Sequence, residues 1–291
     1  GLTFVQGDVC DRQAVDAVMS SCDVVVHFAA ETHVDRSIVA PDVFVKTDVL
    51  GTYTLLEAAR QQKIQRFVYI STDEVYGNAE APDGSSRPSV ESDTLKPLSP
   101  YAASKAGADR LAFSYWATFG LPVTITRCSN NYGPYQYLEK QLPLFINNAL
   151  ARRPLPVYGD GSNTRDWIHV EDQCAALCVI LQAPLEQVAG EVFNIGSGEE
   201  RSILENARTI LALLDLPESL ITYVPDRPGH VLRHAVNCEK LTRTLGWQPR
   251  WTFPEGIRQT VAWYQTHREW VQHIIERRDS FLERALSAER P

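Results

Sequence analysis

The stretch Phe67-Val68-Tyr69-Ile70-Ser71-Thr72, followed at once by Asp73-Glu74-Val75-Tyr76-Gly77, decides the reading of this chain. It is a nearly unbroken apolar run that ends in two hydroxyl groups and two adjacent carboxylates. Val24-Val25-Val26-His27-Phe28-Ala29-Ala30 and Val123-Thr124-Ile125-Thr126-Arg127 repeat the idea on either side, and Phe4-Val5 before Gly7-Asp8 is a shorter version. Continuous apolar strands suit a parallel sheet covered on both faces, whereas a half-exposed antiparallel strand alternates. Between these runs, 11–19, 47–62 and 100–119 read as helices. Strand–helix–strand repetition with short connections predicts an α/β fold, an open, doubly wound parallel sheet of the Rossmann kind.

The third helix marks its own start, with Ser99 as N-cap and Pro100 in the first helical position. After about residue 134 the rhythm breaks into Pro- and Gly-rich segments and isolated helices. One of these, 203–214, opens with Ser202 and Glu205 in capping-box spacing and carries the apolar stripe Ile203, Ala207, Ile210, Leu211 and Leu214. A final helix is expected from Pro254 to beyond 280. The expected division is a sheet domain over 1–133, to which segments around 164–198 return, and a smaller, partly interleaved α/β lobe over 134–291.

The 291 residues suffice for a sizeable core, and 44% hydrophobic with 22% charged residues argues against a wholly disordered chain. Lys and Arg number 28 against 36 Asp and Glu, a net charge of −8. That balance argues against a nucleic-acid binder, which needs a basic face. No apolar run is long enough to span a membrane. The six cysteines are scattered. Cys174 and Cys178, four apart in an apolar helical stretch, read as two small buried side chains and not as a metal site, since no other ligand pair accompanies them. Reduced thiols and a cytoplasmic enzyme are expected.

Two constellations carry chemistry. Tyr101 and Lys105 stand at i and i+4, on one face of a helix. An ammonium beside a phenol favours the phenolate, which would make Tyr101 a base for a hydroxyl proton; a solvated helix face is the alternative. Thr72-Asp73-Glu74 sits where a strand ends, the edge at which open α/β sheets bind ligands. The pair is either a turn with solvated acids or an acid/base couple whose environments hold one carboxyl protonated and one ionised. His33 and His169 read as structural, and Trp263, Tyr264 and Trp270 as helix packing.

The strings Ile70-Ser-Thr-Asp-Glu-Val-Tyr-Gly77 and Ser99-Pro-Tyr-Ala-Ala-Ser-Lys105 resemble the extended short-chain dehydrogenase/reductase superfamily, and within it the nucleoside-diphosphate-glucose 4,6-dehydratases of the dTDP-glucose type. Ala29-Ala-Glu-Thr-His-Val-Asp-Arg-Ser37, Arg127-Cys-Ser-Asn-Asn-Tyr-Gly-Pro-Tyr135, Pro156-Val-Tyr-Gly-Asp-Gly161, Arg165-Asp-Trp-Ile-His-Val170 and Asp226-Arg-Pro-Gly-His230 follow the family's order. The paired acids separate the dehydratases from similar epimerases and decarboxylases. The resemblance implies NAD as cofactor and catalysis by Thr72, Asp73, Glu74, Tyr101 and Lys105. Tyr101, helped by Lys105, would take the 4-hydroxyl proton as hydride leaves C4. Glu74 would take the C5 proton and Asp73 protonate the departing 6-hydroxyl, before hydride returns to C6. Thr72 would hydrogen-bond the 4-hydroxyl.

Further positions carry over one at a time. Asp8 and Val9 would meet the adenine, Phe28, Ala29 and Ala30 the phosphates and ribose, and Ser71, Thr47 and Asn131 the remaining cofactor. Thr32 and Asn130 would face the sugar and its phosphate; Lys140, Pro156, Tyr158, Arg165, Arg227 and His230 would hold the nucleoside diphosphate. Arginine suits a phosphate because its donors match it bidentately. Gln141 follows Glu139-Lys140 where relatives carry Leu, and Ser202-Ile203 stands where many carry Asn, which leaves thymine or uracil open as the base. No metal is implied. A homodimer paired through 47–62 and 102–119 is. No G-x-G-x-x-G occurs in the 291 residues. The pattern enters at the family's third strand, so the expectation is that roughly 50–60 residues, with two strands and the phosphate loop, are missing ahead of Gly1.

Overall fold

The computed structural model describes residues 1–81 and 83–277. Its strands in chain order are β1 (Val24–His27), β2 (Arg66–Thr72), β3 (Val123–Cys128), β4 (Asn130–Tyr132), β5 (Leu155–Tyr158), β6 (Thr164–His169), β7 (Val192–Ile195), β8 (Glu200–Ser202), β9 (Ile221–Val224) and β10 (Arg233–His234). The chain forms two compact units. One comprises Gly1–Asn131, Asn163–Arg201 and Arg227–Arg250; the other comprises Tyr132–Ser162, Ser202–Asp226 and the chain from Trp251.

The first unit is built on a sheet of order β1-β2-β3-β7, parallel throughout. Alternate residues of β2 serve opposite faces, as the period of two requires. Phe67 and Tyr69 join Val15, Leu56, Ala108, Ala112 and Ile125 in one core. Val68 and Ile70 join Ile168, Leu177, Ile180, Phe193 and Ile195 in the other. This is the doubly wound α/β sheet read from the apolar runs. Arg66 fastens β2 to the far face by donating to the carbonyls of Ile180 (2.5 Å) and Ala183 (2.7 Å) at the end of the Val170–Gln182 helix. Those carbonyls have no partner within the helix and suit a cation.

The Arg12–Met19 helix and the Pro100–Phe119 helix lie where the periodicity puts them. Ser99 caps the latter by accepting from the Ala102 N–H at 3.1 Å, and Gly120 ends it in the left-handed region at φ 69°. Helix 47–62 opens instead as a π-helical turn, Val45–Leu50, before the α-helix Gly51–Gln61. The buried Asp48 side chain on that turn accepts from the Glu31 N–H (2.8 Å) and the Ser104 hydroxyl (2.6 Å), a local feature of the kind π-turns mark.

Several expectations change. Phe4-Val5 forms no strand; Leu2 is 99% and Phe4 84% exposed. A strand needs a neighbouring edge for its N–H and C=O groups, and no described segment pairs with the outer edge of β1. β1 itself stops at His27, leaving Phe28 and Ala29 exposed beyond it. Cys174 and Cys178 are exposed rather than buried, because the Val170–Gln182 helix turns Asp172, Gln173, Ala176, Leu177 and Ile180 inward.

The second unit pairs β5 with β9 in parallel and packs Leu142, Phe145, Val157, Ile210, Leu211 and Ile257 as buried residues. The Ile203–Leu213 helix carries the expected capping box, Ser202 with Glu205. The terminal helix runs Phe253–Thr266, breaks at His267 and is helical again over 268–277; the predicted continuation beyond 280 lies outside the described residues. At the break, Thr266 and His267 side chains both engage the Trp263 carbonyl (3.1 and 2.9 Å), competing with the helical ladder. Trp263 packs against Tyr264 (4.9 Å) and Trp270 (5.2 Å between centroids), and Tyr264 is fully buried.

Candidate active site

The carboxyl end of β2 builds the centre of the site. Thr72, still extended at φ −141°, is the N-cap of a single 3₁₀ turn, Asp73–Tyr76, and its Oγ1 accepts from the Glu74 N–H at 3.3 Å. The turn sends the two acids into different surroundings. Asp73 is 3% exposed, its Oδ1 accepts from the Thr72 hydroxyl at 3.3 Å, and its Oδ2 has no hydrogen-bond partner. Glu74 is half-buried and lines a crevice with Ser99, Ala102, Arg165, Arg227 and His234. Gly77 closes the turn at φ 76°, its Cα against the Lys96 carbonyl, where a Cβ would not fit.

Burial pushes the Asp73 carboxyl up to about 7, against the pull of Arg165. Asp73 is thus a carboxyl whose proton is retained far above the usual carboxylate range, up to about neutrality. Behind it lies Asp166, fully buried, whose Oδ1 accepts from the Ser197 N–H (3.1 Å) and hydroxyl (2.9 Å). Burial lifts this group to about 7 as well, and the neighbouring Asp73 charge adds to the rise.

The first turns of the Pro100–Phe119 helix supply Tyr101 and Lys105, both buried. Their relationship differs from the expected one. Burial first, then the Glu74 charge, push the Tyr101 phenol well above 10, while the Thr72 hydroxyl pulls it down. The Lys105 ammonium is aimed at the strand: it donates to the Ile70 carbonyl at 2.7 Å and stands 4.5 Å over the Tyr69 ring. Burial lowers it to about 8, with Asp48 opposing. An ammonium that burial disfavours and that is turned toward a main-chain carbonyl does not by itself make a phenolate.

Around this centre the first unit collects most of the other candidates. Ser71 is buried beside Thr72 with its Oγ unpartnered. Asn130 and Asn131 follow β3 at the neighbouring strand end, both half-buried, and the Asn131 amide donates to Ser129 O at 3.1 Å. Phe28, Ala29, Ala30 and exposed Thr32 follow the end of β1. Thr47 stands half-buried on the π-turn. Asp8, exposed, accepts from the Cys10 N–H at 2.8 Å, which lowers its carboxyl, and Val9 packs on Gly51, where a Cβ would strike it. Arg165 is buried and donates to the Val231 carbonyl at 3.0 Å; Arg227 pairs with Asp35 at 3.2 Å; His230 is half-exposed two residues past Pro228. Lys140, Pro156 and Tyr158 belong to the second unit, Lys140 as N-cap of the Gln141–Leu150 helix and the other two on β5.

Sequence reasoning passed over His234 and Asp166. His234 is placed by β10 pairing in parallel with β6, opposite Arg165, a register with no local signature. Asp166 lies in the polar first half of β6, Thr164-Arg165-Asp166, where nothing in the local sequence marks it as fully buried. Among the described residues no group of three His, Cys, Asp or Glu side chains converges as a metal site, and no helix is long and apolar enough to cross a membrane.

Comparison with known proteins gives the family. The family model described as GDP-mannose 4,6 dehydratase matches residues 1–260, and the chain belongs to that family. A dTDP-glucose 4,6-dehydratase of Actinoplanes sp. is 47% identical over 268 residues, covering 92% of this chain and 81% of the relative. The low-salt glycan biosynthesis protein Agl12 of Haloferax volcanii is 51% identical over 261 residues, 90% of this chain and 81% of the relative. The crystal structure of a double mutant of DesIV, a dTDP-glucose 4,6-dehydratase from Streptomyces venezuelae with NAD and DAU bound, superposes with a TM-score of 0.89 at 43% identity, covering 94% of this chain and 82% of that one.

Proposed function

We propose that the chain, as a member of that dehydratase family, is an NAD-dependent hydro-lyase that converts dTDP-glucose, or its uridine counterpart, to the 4-keto-6-deoxy sugar. One observation carries the reading: Asp73 and Glu74 are consecutive, yet one is sealed and held protonated while the other opens on the crevice beside Arg165 and Arg227. Elimination of water needs an acid and a base on neighbouring carbons, which this pair supplies.

The residues present fit the nicotinamide side of a dinucleotide. The exposed Phe28-Ala29 turn, the unpartnered buried Ser71 hydroxyl and Asn131 stand at successive carboxyl ends of parallel strands, where such cofactors lie. Ser71, Thr47, Asn131, Tyr101 and Lys105 would hold it there, with Asp8 and Val9 toward the adenine. Bound NAD supplies a hydride acceptor and a positive charge that favours the Tyr101 phenolate.

The chain's own residues then act in turn. Tyr101 takes the proton of the 4-hydroxyl, with Thr72 orienting that oxygen. Once C4 is a ketone its neighbouring C5 proton is acidic, and Glu74 removes it. Asp73 donates its proton to the 6-hydroxyl, which leaves as water. Glu74 returns its proton to C5 after hydride reaches C6. The proton Tyr101 has gained equals the one Asp73 has given, so exchange with solvent resets both. Arg165, Arg227 and His230 on the first unit are assigned to the nucleoside diphosphate, with Thr32 and Asn130 at the sugar. On this reading the first unit is the cofactor domain and the second serves the nucleotide sugar.

The enzyme is proposed to work in the cytoplasm as a homodimer through the Gly51–Gln61 and Pro100–Phe119 helices, which leave Tyr53, Trp116 and Phe119 exposed. Incubation with dTDP-glucose deuterated at C4 tests the chemistry. The label is expected at C6 of a 4-keto-6-deoxy product, and a product without it at C6 overturns the proposal.

A further inference from the structure

His234 is an imidazole that the mechanism above does not use. It is 3% exposed, and neither ring nitrogen has a hydrogen-bond partner. Buried polar atoms are paired almost without exception, and an unpaired one marks a place where a partner arrives or something is strained. The partner within reach is Asp73: His234 Nδ1 stands 3.7 Å from Asp73 Oδ1, just outside hydrogen-bond length. Both groups are 3% exposed.

The backbone holding His234 is firmly anchored. Arg233 beside it is clamped by Glu200 (2.6 and 2.5 Å) and donates to the Ala79 carbonyl at 3.0 Å, while the Asn78 side chain accepts from the Leu232 N–H at 2.9 Å. Burial, with Arg165 and Arg227 nearby, keeps the ring neutral by holding its pKa far below 6.5, near 3. A neutral ring carries one N–H, and only Nδ1 faces the carboxyl.

We propose that His234 is a positioning residue for Asp73: in the tautomer protonated at Nδ1 it donates to Asp73 Oδ1 as the substrate settles, turning the other oxygen, Oδ2, toward the departing hydroxyl. Oδ1 is then held from two sides, by the Thr72 hydroxyl and the imidazole. Oδ2, the oxygen without a partner, carries the proton that is delivered. Its O–H bond breaks as the proton joins the leaving hydroxyl to form water, and the carboxylate left behind keeps the Nδ1–H donor. The imidazole itself neither gains nor loses a proton.

The inference rests on the dehydratase reading, and the test separates the two. With NAD-loaded wild-type enzyme, C4-deuterated dTDP-glucose is followed to product; failure there sinks the reading itself. Given turnover, His234→Leu and His234→Asn are compared. Asn places an amide where Nδ1 stood, whereas Leu removes the donor. His234→Leu is expected to lower kcat at least tenfold with KM within twofold. It should also accumulate reduced cofactor at 340 nm during turnover, because C4 oxidation outruns elimination, and move the alkaline limb of kcat to higher pH. His234→Asn is expected to recover kcat to within threefold of wild type. Equal losses in both variants with no accumulation at 340 nm, or a His234→Leu enzyme as fast as wild type, overturn the assignment. Should His234→Leu fail to fold, His234→Gln, whose amide reaches the Nε2 position instead, takes its place, with the same expected loss relative to Asn.

Discussion

The Lys105 ammonium donates to the main-chain carbonyl of Ile70 at 2.7 Å, tying the Tyr101 helix to the strand that ends in Thr72-Asp73-Glu74. The lysine therefore sets the distance between the two catalytic constellations. Lys105→Met keeps the length and apolar stem but loses this tie and the charge. Its kcat is expected to fall about 10²–10³-fold, in the range for losing a group that supports acid–base catalysis, with the far-ultraviolet circular dichroism unchanged. A variant within threefold of wild type would show that the tie is dispensable.

The placement of Asp73 sets a pH dependence. In its proposed role as the acid of the elimination it must hold a proton, and burial pushes its carboxyl up to about 7. kcat is expected to fall as pH rises above 7, and Asp73→Asn to lose roughly 10²-fold or more in dehydration at pH 7. Hydride removal from C4, read at 340 nm, should survive in the variant. A flat kcat profile from pH 6 to 9, with elimination limiting, would contradict this role.

Asp166 gives a stability prediction with the opposite reagent, heat. Its folded carboxyl sits near 7 against 3.8 in the unfolded chain, so between these values the folded state binds the extra proton. Stability from this group therefore falls as pH rises from about 4 to 7, and the full cost is present above 7. Asp166→Asn keeps an acceptor for Ser197 and removes that cost. Thermal melts should show the variant gaining on the order of 2–4 kcal/mol relative to wild type at pH 8 and little at pH 4. An equal gain at both pH values would place the effect elsewhere.

Arg127 is buried in β3, donates to Asp109 of the neighbouring helix through Nε and Nη2 (2.9 and 3.0 Å), and donates to the Tyr76 hydroxyl through Nη1 at 2.8 Å. Without Arg127, the fully buried Asp109 keeps only the half-exposed Arg110 as a cationic partner, and a buried charge that loses a partner is costly. Arg127→Met should cost about 3–5 kcal/mol in urea unfolding, and the double variant with Asp109→Leu should recover part of that loss. A double variant worse than the single one would refute the stranded-charge account.

Tyr53 and Phe119 are the most exposed of the three exposed aromatic residues, with Trp116, on the two helices assigned to the subunit interface. Charging both, Tyr53→Asp with Phe119→Asp, should turn a dimer into a monomer at micromolar concentration by light scattering. A wild-type chain that is itself monomeric there would remove the proposed interface.

How much of this was legible beforehand follows from the range of each interaction. Apolar runs at 67–72 and 123–127, the Ser99-Pro100 start and the Ser202/Glu205 capping box are local, and each became the element expected of it. Phe4-Val5 has the composition of a strand but no neighbouring edge, and pairing is not local. Cys174 and Cys178 look buried by composition, yet which side of a helix faces inward depends on what it packs against.

The same division runs through the site. The sequence by itself determined which chemical groups stand at the end of β2 and at the start of the long helix, because strand ends and caps are written in short motifs. Only the tertiary structure decided what those groups are. Burial from elements distant in the chain raises the proton affinity of Asp73, the Ile70 carbonyl takes a hydrogen bond from Lys105, and the pairing of β10 with β6 puts His234 beside a carboxyl 161 residues earlier. Proton affinity depends on desolvation and on charges a few ångströms away, and those distances exist only once the chain has folded.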